Sequence, residues 1–141
     1  MKRKASAVWK GDLKAGKGSI SSDSGVLSNT QYSFSTRFEE GIGTNPEELI
    51  AAAHAGCFSM ALSAQLGEAG LVADSIKTTA TVTLDKVDGG FAITTVHLDL
   101  SAKIPGASQE AFTTAANNAK VGCPISKVLN AKITLDAKLE S

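Results

Sequence analysis

The stretch 45–70 constrains the fold more than any other part of the sequence. Asn45 is predicted to cap a helix whose first position is Pro46, and Glu48 is placed to reach back to the cap residue as in a capping box. Nearly every position from 49 to 66 is apolar or small, which is typical of a buried helix. Because many of these residues are alanine, other backbones can approach the helix closely. The stretch therefore predicts a long central helix covered by the rest of the protein.

Alternation of apolar and polar residues predicts strands on both sides of this helix. The predicted order is βββ-α-ββ-αα-β, with helices not interleaved strand by strand, so we expect a single α+β domain over residues 1–141 with mostly antiparallel sheet. A phase slip near Thr94 predicts a β-bulge in the second of two long strands that are joined by a turn at 88–90. The predicted strands are 3–10, 14–22, 32–38, 76–87, 91–103 and 131–139, and the later helices are 108–122 and 124–129.

Charge and hydropathy exclude several classes of protein. The chain has 14 basic and 14 acidic residues, so no electrostatic footprint for nucleic acid or an anionic membrane is visible. The N-terminal basic residues are not followed by an apolar run, so no signal peptide is predicted. Two glutamates, a histidine and a glutamine interrupt the central helix, so we expect no membrane span. We therefore expect a cytoplasmic protein, where a cysteine pair indicates redox or catalytic chemistry more readily than a structural disulfide.

The two cysteines, Cys57 and Cys123, are the first candidates for chemistry. Free cysteines are among the most buried residues, so inert packing is one interpretation. Cys123 stands between Gly122 and Pro124, where one helix is predicted to end and another to begin, and a helix N-terminus favours a thiolate. Cys57 lies in mid-helix without such help, so we expect apolar surroundings to raise its pKa. A reactive Cys57 therefore needs a nearby cation.

Arg37 is the candidate for that cation, although an ordinary surface arginine is the competing interpretation. It is placed at the end of the predicted third strand, just before the loop that leads into the central helix. Glu47 is the natural partner to orient it. Glu47 and Cys57 are ten residues apart on one helix, which separates them by about 15 Å along the axis. If Glu47, an arginine and Cys57 form one site, either the arginine spans this gap or Glu47 comes from a second subunit, and the distance favours a dimer.

The two histidines and the common catalytic motifs indicate less about function than the cysteines and Arg37 do. His54, one turn before Cys57, fits a histidine–cysteine hydrogen bond, half of a metal site, or simple packing. His97 shares a predicted strand face with polar residues, which indicates a solvated surface histidine. Because no other cysteine–histidine pair has metal-ligand spacing, we predict no metal site. The sequence also lacks a serine-hydrolase elbow, a phosphate-binding loop and a dinucleotide fingerprint.

Two motifs resemble those of a known family. N-P-E-E-L-I-A-A-A-H-A-G-C-F-S-M-A-L-S at 45–63 and V-G-C-P-I-S-K at 121–127 are similar to the OsmC/Ohr family of osmotically inducible and organic hydroperoxide resistance proteins. The form A-H-A-G-C-F looks closer to the OsmC branch, and the predicted element order agrees over essentially the whole chain. The resemblance implies an intertwined homodimer, in which the sheets of both subunits bury two long central helices and the active sites lie at the interface.

The resemblance also implies a thiol peroxidase that prefers organic hydroperoxides. Cys57 matches the peroxidatic cysteine, Cys123 the resolving cysteine and Glu47 the family glutamate, and Arg37 is assigned as the family arginine. A sulfenic acid on Cys57 would condense with Cys123 to a disulfide. An external dithiol, a dihydrolipoyl group in relatives, would then reduce it. No metal or organic cofactor is required.

Two other functions stay open from the sequence. One is a non-catalytic dimeric stress protein that binds an apolar ligand in its cavity, with two unreactive thiols. The other is a redox sensor, for which a DNA-binding element is expected and none is visible in the sequence.

Overall fold

The structure is a computed structural model that describes residues 1–140. The chain forms two compact units, residues 1–49 and residues from 50 onward, which are described in turn. A single domain over the whole chain stays a prediction. The elements belong to a mixed α+β architecture, as expected, and they form two three-stranded sheets.

The first unit contains a small antiparallel sheet. β1 (Ala5–Lys10) pairs with β2 (Lys17–Ser22), and β3 (Thr30–Tyr32) lies on the other side of β2. Gly18 of β2 passes between the rings of Trp9 and Tyr32, whose centroids are 5.5 Å apart. A Cβ at this position would collide with both rings, so the packing requires a glycine here.

The predicted third strand, 32–38, is wrong after its first residue. Residues Phe34–Phe38 form a short helix, α1, which Ser33 caps. The Ser33 hydroxyl accepts a hydrogen bond from the backbone N–H of Thr36, and the Thr36 hydroxyl accepts one from the backbone N–H of Ser33 at 2.8 Å. This reciprocal capping box fixes the chain in a helical turn.

The apolar spacing in this segment fits a helix as well as a strand. Phe34 and Phe38 are four residues apart, so on a helix they share a face, and their ring centroids are 4.9 Å apart. Arg37 therefore lies in the last turn of α1 and not at the end of a strand.

The central helix, α2 (Pro46–Glu68), begins as predicted. The Asn45 side-chain oxygen accepts a hydrogen bond from the backbone N–H of Glu48 at 2.7 Å, which satisfies one of the unpaired donors of the first turn. The expected return bond from the Glu48 carboxylate does not form, because that carboxylate accepts from the Thr44 hydroxyl at 2.8 Å. The Asn45 side-chain amide also donates to the backbone oxygen of Thr36 at 2.9 Å, which ties the start of α2 to α1.

One face of α2 is buried within the chain and the opposite face is exposed. The buried residues are His54, Phe58, Leu62 and Leu66, at a spacing of four. The complete burial expected for α2 is therefore not reached by one chain. By length and composition alone α2 could also cross a membrane, although the core helix of a soluble protein passes the same test. The exposed face consists of small residues and one methionine: Ala52, Ala53, Gly56, Met60, Ser63, Ala64 and Gly67.

The second unit contains a hairpin of two long strands with a third strand beside it. β4 (Ser75–Val87) and β5 (Gly90–Lys103) are antiparallel, and β6 (Lys132–Glu140) pairs with β5 in parallel. A parallel pair needs a crossover connection, which α3 (Gln109–Gly122) and α4 (Pro124–Val128) supply. The prediction of mostly antiparallel sheet is confirmed.

The predicted bulge is present in β5. Thr83 pairs with Thr95 and Leu84 pairs with Ile93, so Thr94 is the extra residue on the bulged strand. The residues before and after it keep their apolar side chains on the core side, which explains the phase slip in the sequence.

The core of the second unit is formed by the sheet, α2 and α3. Cys123 is part of this core and Cys57 packs against it. Its buried residues are Phe58, Leu62, Leu66, Val96, Leu98, Leu100, Ala102, Ile104, Phe112, Ala115, Ala116, Ala119 and Cys123.

Candidate active site

Cys57 lies half-buried near the middle of α2. Its side chain makes hydrogen bonds with the side chain of Cys123 and with the backbone of Ile125. Burial raises the pKa of the Cys57 thiol, the hydrogen bond with Cys123 raises it further, and the contact with the Ile125 backbone opposes the rise. The expected rise of this pKa is therefore confirmed. Within one chain the neutral thiol is favoured over the nucleophilic thiolate.

Cys123 is completely buried at the junction of α3 and α4, the position predicted from its Gly and Pro neighbours. Its backbone serves both helices: its N–H donates to the Ala119 oxygen at 2.9 Å, and its oxygen accepts from the Lys127 N–H at 3.1 Å. Its side chain makes no capping bond, so the thiol is left to face Cys57. Both cysteines are free thiols.

His54 is a second polar group on the buried side of α2, one turn before Cys57. Its side chain is fully buried, and its Nε2 lies 2.8 Å from the Ser126 hydroxyl of α4. Within residues 1–140, its Nδ1 is buried without a hydrogen-bond partner. Burial lowers the pKa of His54, because an imidazolium ion loses hydration there.

Arg37 and Glu47 form an ion pair in the first unit. The Arg37 Nε donates to Glu47 Oε1 at 2.8 Å, and the Arg37 side chain is 41% exposed, so one edge of the guanidinium stays open to a further partner. Glu47 Oε2 is buried and makes no hydrogen bond within the described part of the chain. The guanidinium also lies over the ring of Phe38, 5.3 Å from its centroid.

An apolar cavity of about 260 Å³ lies beside this ion pair in the same unit. Aromatic side chains make up half of the residues that line it, and Arg37 is the charged group that it offers to a ligand. This combination suits a molecule with an apolar body and a polar end. The lining residues are Trp9, Leu13, Tyr32, Ser33, Phe34, Arg37, Phe38 and Pro46.

One group of side chains in the described chain could hold a metal ion. His97, Asp99 and Asp136 each offer a ligand atom, and these atoms lie within 4.8 Å of one another. His97 is 32% exposed, and its Nδ1 lies 2.6 Å from the Thr134 hydroxyl. The histidine lies on the polar face of the sheet, as predicted, and both carboxylates are exposed.

Comparison with known proteins assigns the chain to a family. Residues 39–138 match the family model described as OsmC-like protein. The chain is 57% identical over 139 residues to peroxiredoxin OsmC of Escherichia coli K12, covering 99% of this chain and 97% of that protein. The chain belongs to the OsmC family.

More distant members of the family agree in sequence and fold. The chain is 35% identical over 124 residues to the organic hydroperoxide resistance protein OhrB of Bacillus subtilis 168, covering 87% of this chain and 88% of OhrB. The crystal structure of B. subtilis OhrB matches the chain with a TM-score of 0.70 at 29% identity, covering 96% of this chain and 98% of that one. The OsmC-like fold inferred from the two motifs is thereby confirmed.

The predicted site residues form two pairs, Cys57 with Cys123 and Arg37 with Glu47. Their roles in a reaction stay predictions. Sequence reasoning missed Ile125 and Ser126, although both lie in the V-G-C-P-I-S-K motif that carried the resemblance. It also missed the apolar cavity beside Arg37, because the residues that line this cavity come from three separate segments of the first 46 residues.

Proposed function

We propose that the protein is a cysteine-based peroxidase that reduces organic hydroperoxides to alcohols. The observation that carries the proposal is the hydrogen-bonded contact between two free thiols, Cys57 and Cys123. Two such thiols can cycle between dithiol and disulfide without a metal or organic cofactor. The relatives named peroxiredoxin OsmC and organic hydroperoxide resistance protein support a peroxide-related redox role.

The proposed reaction has three steps. The Cys57 thiolate attacks the terminal peroxide oxygen, the O–O bond breaks, and the alkoxide leaves and takes up a proton to become the alcohol. The Cys123 sulfur then attacks the Cys57 sulfenic acid, and a water molecule leaves as the disulfide forms. An external dithiol reduces this disulfide by exchange and is itself oxidised. We expect a reductant of the dihydrolipoyl type.

In this mechanism the Arg37 guanidinium supplies the positive charge that Cys57 lacks in the single chain. Glu47 orients the guanidinium through its hydrogen bond with Nε. Glu47 precedes Cys57 by ten residues of one helix, about 15 Å along its axis. We therefore assign the arginine–glutamate pair that serves each Cys57 to a second copy of the chain.

The proposal thus includes a homodimer. The exposed face of α2 carries alanines, glycines, a serine and Met60, which is 77% exposed. Small side chains allow two helices to pack closely, and covering this face removes apolar surface from water. The same face offers no charged side chain between residues 52 and 67 to oppose association.

The cavity beside Arg37 supports an organic substrate. Each methylene transferred from water into an apolar site contributes about 0.8 kcal/mol, so alkyl or aryl hydroperoxides are favoured over hydrogen peroxide. The balanced net charge gives no reason to expect nucleic acid or membrane partners. We propose the cytoplasm as the location, because its reducing pool keeps catalytic thiols reduced.

The raised pKa of Cys57 and the apolar cavity also favour a second candidate function. In that case the protein is a non-catalytic stress protein that binds an apolar ligand, and both thiols stay passive. The two functions differ in whether peroxide consumption depends on Cys57.

Turnover measurements decide between them. Purified wild-type protein is supplied with dihydrolipoamide and either cumene hydroperoxide or hydrogen peroxide, and loss of peroxide is followed for wild type and Cys57→Ser. We expect faster consumption of cumene hydroperoxide than of hydrogen peroxide by wild type, and none above background by the variant. Equal background rates for both proteins would reject the peroxidase and favour the ligand-binding function.

A further inference from the structure

The hydrogen bond between His54 and Ser126 joins the same two helices as the cysteine pair. His54 lies three residues before Cys57 on α2, and Ser126 lies three residues after Cys123 on α4. The His54 Nε2 and the Ser126 hydroxyl are 2.8 Å apart, although the two residues are separated by 72 positions in sequence. Each polar partner is therefore one helical turn from a cysteine, and the polar contact lies next to the thiol contact.

A histidine is an unfavourable residue for this position unless its polarity is used. The His54 side chain is fully buried in the apolar core on the buried face of α2 and has no contact with solvent. Only one of its two ring nitrogens has a hydrogen-bond partner in the described residues. Burying the second nitrogen unpaired opposes folding, and a phenylalanine of similar size would avoid it. What the histidine provides in return is a directed contact to α4.

Helix α4 carries two groups that touch Cys57. Its Ile125 backbone hydrogen-bonds to the Cys57 sulfur, and Cys123 stands at its N-terminal boundary. A helix of five residues has few internal hydrogen bonds, so external contacts determine where it lies. The bond from Ser126 to His54 is such a contact.

We infer that His54 is a positioning residue, whose hydrogen bond with Ser126 holds α4 and the Cys123 thiol in place against Cys57. Disulfide formation requires the two sulfurs to approach to about 2.0 Å, closer than hydrogen-bonded thiols, with a restricted dihedral angle. Holding α4 in place favours capture of the Cys57 sulfenic acid by Cys123 before a second peroxide can oxidise it. The inference rests on the proposed function, but the capture step can also be tested without peroxide.

The test separates the two oxidation steps in Ser126→Ala. In single turnover with cumene hydroperoxide, loss of the Cys57 thiol and formation of the disulfide are followed by rapid acid quench and mass spectrometry. We expect the first step to be unchanged within about twofold and the disulfide step to slow by about fivefold or more, the effect of one lost hydrogen bond. We also expect the fraction of Cys57 that is oxidised to the sulfinic acid to rise in this variant, because capture by Cys123 is slower. His54→Phe should give the same defect, and the double variant should add nothing to it, because both substitutions remove one contact.

Two controls distinguish positioning from a general loss of stability. Ser126→Thr keeps the hydroxyl and should restore the disulfide rate. Ser59→Ala removes hydrogen bonds of the α2 residue Ser59 to Ala55 and Thr78, at 2.8 Å each, without touching α4. It should lower the free energy of unfolding but leave the disulfide rate at the wild-type value. An unchanged disulfide rate in Ser126→Ala, or an equal slowing in Ser59→Ala, would overturn the inference.

A second oxidant keeps this result independent of the peroxidase proposal. Diamide accepts the Cys57 thiolate as an adduct, and Cys123 then displaces the hydrazine to form the same disulfide. If wild type reacts with diamide but not with cumene hydroperoxide, the proposed function fails, and the ratio of disulfide rates in wild type and Ser126→Ala still tests the positioning role.

Discussion

The charge state of Cys57 is the residue-scale feature on which the proposed chemistry depends. Burial and the hydrogen bond with Cys123 both raise the pKa of this thiol, while only the thiolate attacks a peroxide. The Ile125 backbone opposes the rise without removing it. A cation that lowers the pKa is therefore needed, and Arg37 has one guanidinium edge open after its bond to Glu47.

Arg37→Ala should reduce the rate of reaction with cumene hydroperoxide at least about tenfold at neutral pH while the variant stays folded. Because the pKa of Cys57 is raised, the thiolate fraction of the variant grows as pH rises, so the deficit should shrink toward alkaline pH. Stopped-flow rates between neutral and alkaline pH measure this. Arg3→Ala, at an exposed N-terminal position, serves as the control for loss of one positive charge. An unchanged rate in Arg37→Ala would place the cation elsewhere.

Cys123→Ser should complete one reduction of peroxide and then over-oxidise. Without the second thiol, the Cys57 sulfenic acid persists until another peroxide converts it to the sulfinic acid. Intact-protein mass spectrometry should show the mass of two added oxygen atoms in this variant and loss of two hydrogens in wild type. Repeated dithiol-driven turnover at the wild-type rate would remove Cys123 from the mechanism.

At the scale of elements, the start of α2 determines where Glu47 lies. Asn45 accepts the Glu48 N–H through its side-chain oxygen and donates to the Thr36 oxygen of α1. One side chain thus caps the long helix and fixes the short one that carries Arg37. Glu47 neighbours Glu48 in sequence, and Arg37 neighbours Thr36. The ion-paired carboxylate and guanidinium therefore both lie close in sequence to the two residues that Asn45 contacts.

Asn45→Ala should lower the free energy of unfolding by about 1–2 kcal/mol, the usual cost of losing an N-cap side chain. Urea denaturation followed by circular dichroism measures it. Asn117→Ala, at an exposed position within α3, is the matched control and should be neutral or slightly stabilising, since alanine is the better helix former. Equal stability of both variants would show that Asn45 does not cap α2.

Local signals explain which elements the sequence could predict. The cap and apolar run of α2, the turn at Gly89 and the one-residue slip at Thr94 are all readable from adjacent residues. The five residues of α1 are not, because a spacing of four between Phe34 and Phe38 fits both a helical turn and an alternating strand. A Ser33–Thr36 capping box was the available signal against a strand.

The site itself depends on contacts that no local pattern encodes. Cys57 and Cys123 are 66 residues apart, and His54 and Ser126 are 72 apart. Family resemblance paired the cysteines, but it gave His54 no role. Physical reasoning from one sequence could list Cys57, Cys123 and His54 as candidates, but it did not single out Ser126 and could not state which residues touch.

At the scale of the whole molecule, the proposed site needs a second copy of the chain. α2 is 23 residues long, yet only four of them are buried in one chain. Its small exposed residues suit close packing against another helix. In such a dimer the arginine–glutamate pair and the thiol pair of each site come from different copies.

Mixed dimers test this arrangement. Arg37→Ala and Cys57→Ser proteins should each be inactive or strongly impaired, but a dimer of one copy each contains one complete site if the site is shared between copies. Unfolding and refolding an equal mixture should restore about a quarter of wild-type activity, since half of the dimers are mixed and each has one of two sites intact. Activity no greater than the sum of the separate variants would show that each site uses residues of one copy.

The most direct test of the two-cysteine peroxidase is a count of free thiols. Wild-type protein is treated with one equivalent of cumene hydroperoxide per chain, or of hydrogen peroxide in parallel, and its thiols are titrated after denaturation. We predict loss of both thiols, faster with the organic hydroperoxide, and their recovery with dihydrolipoamide. If both thiols survive after the folded protein has been incubated with the peroxide, catalysis by Cys57 and Cys123 is contradicted.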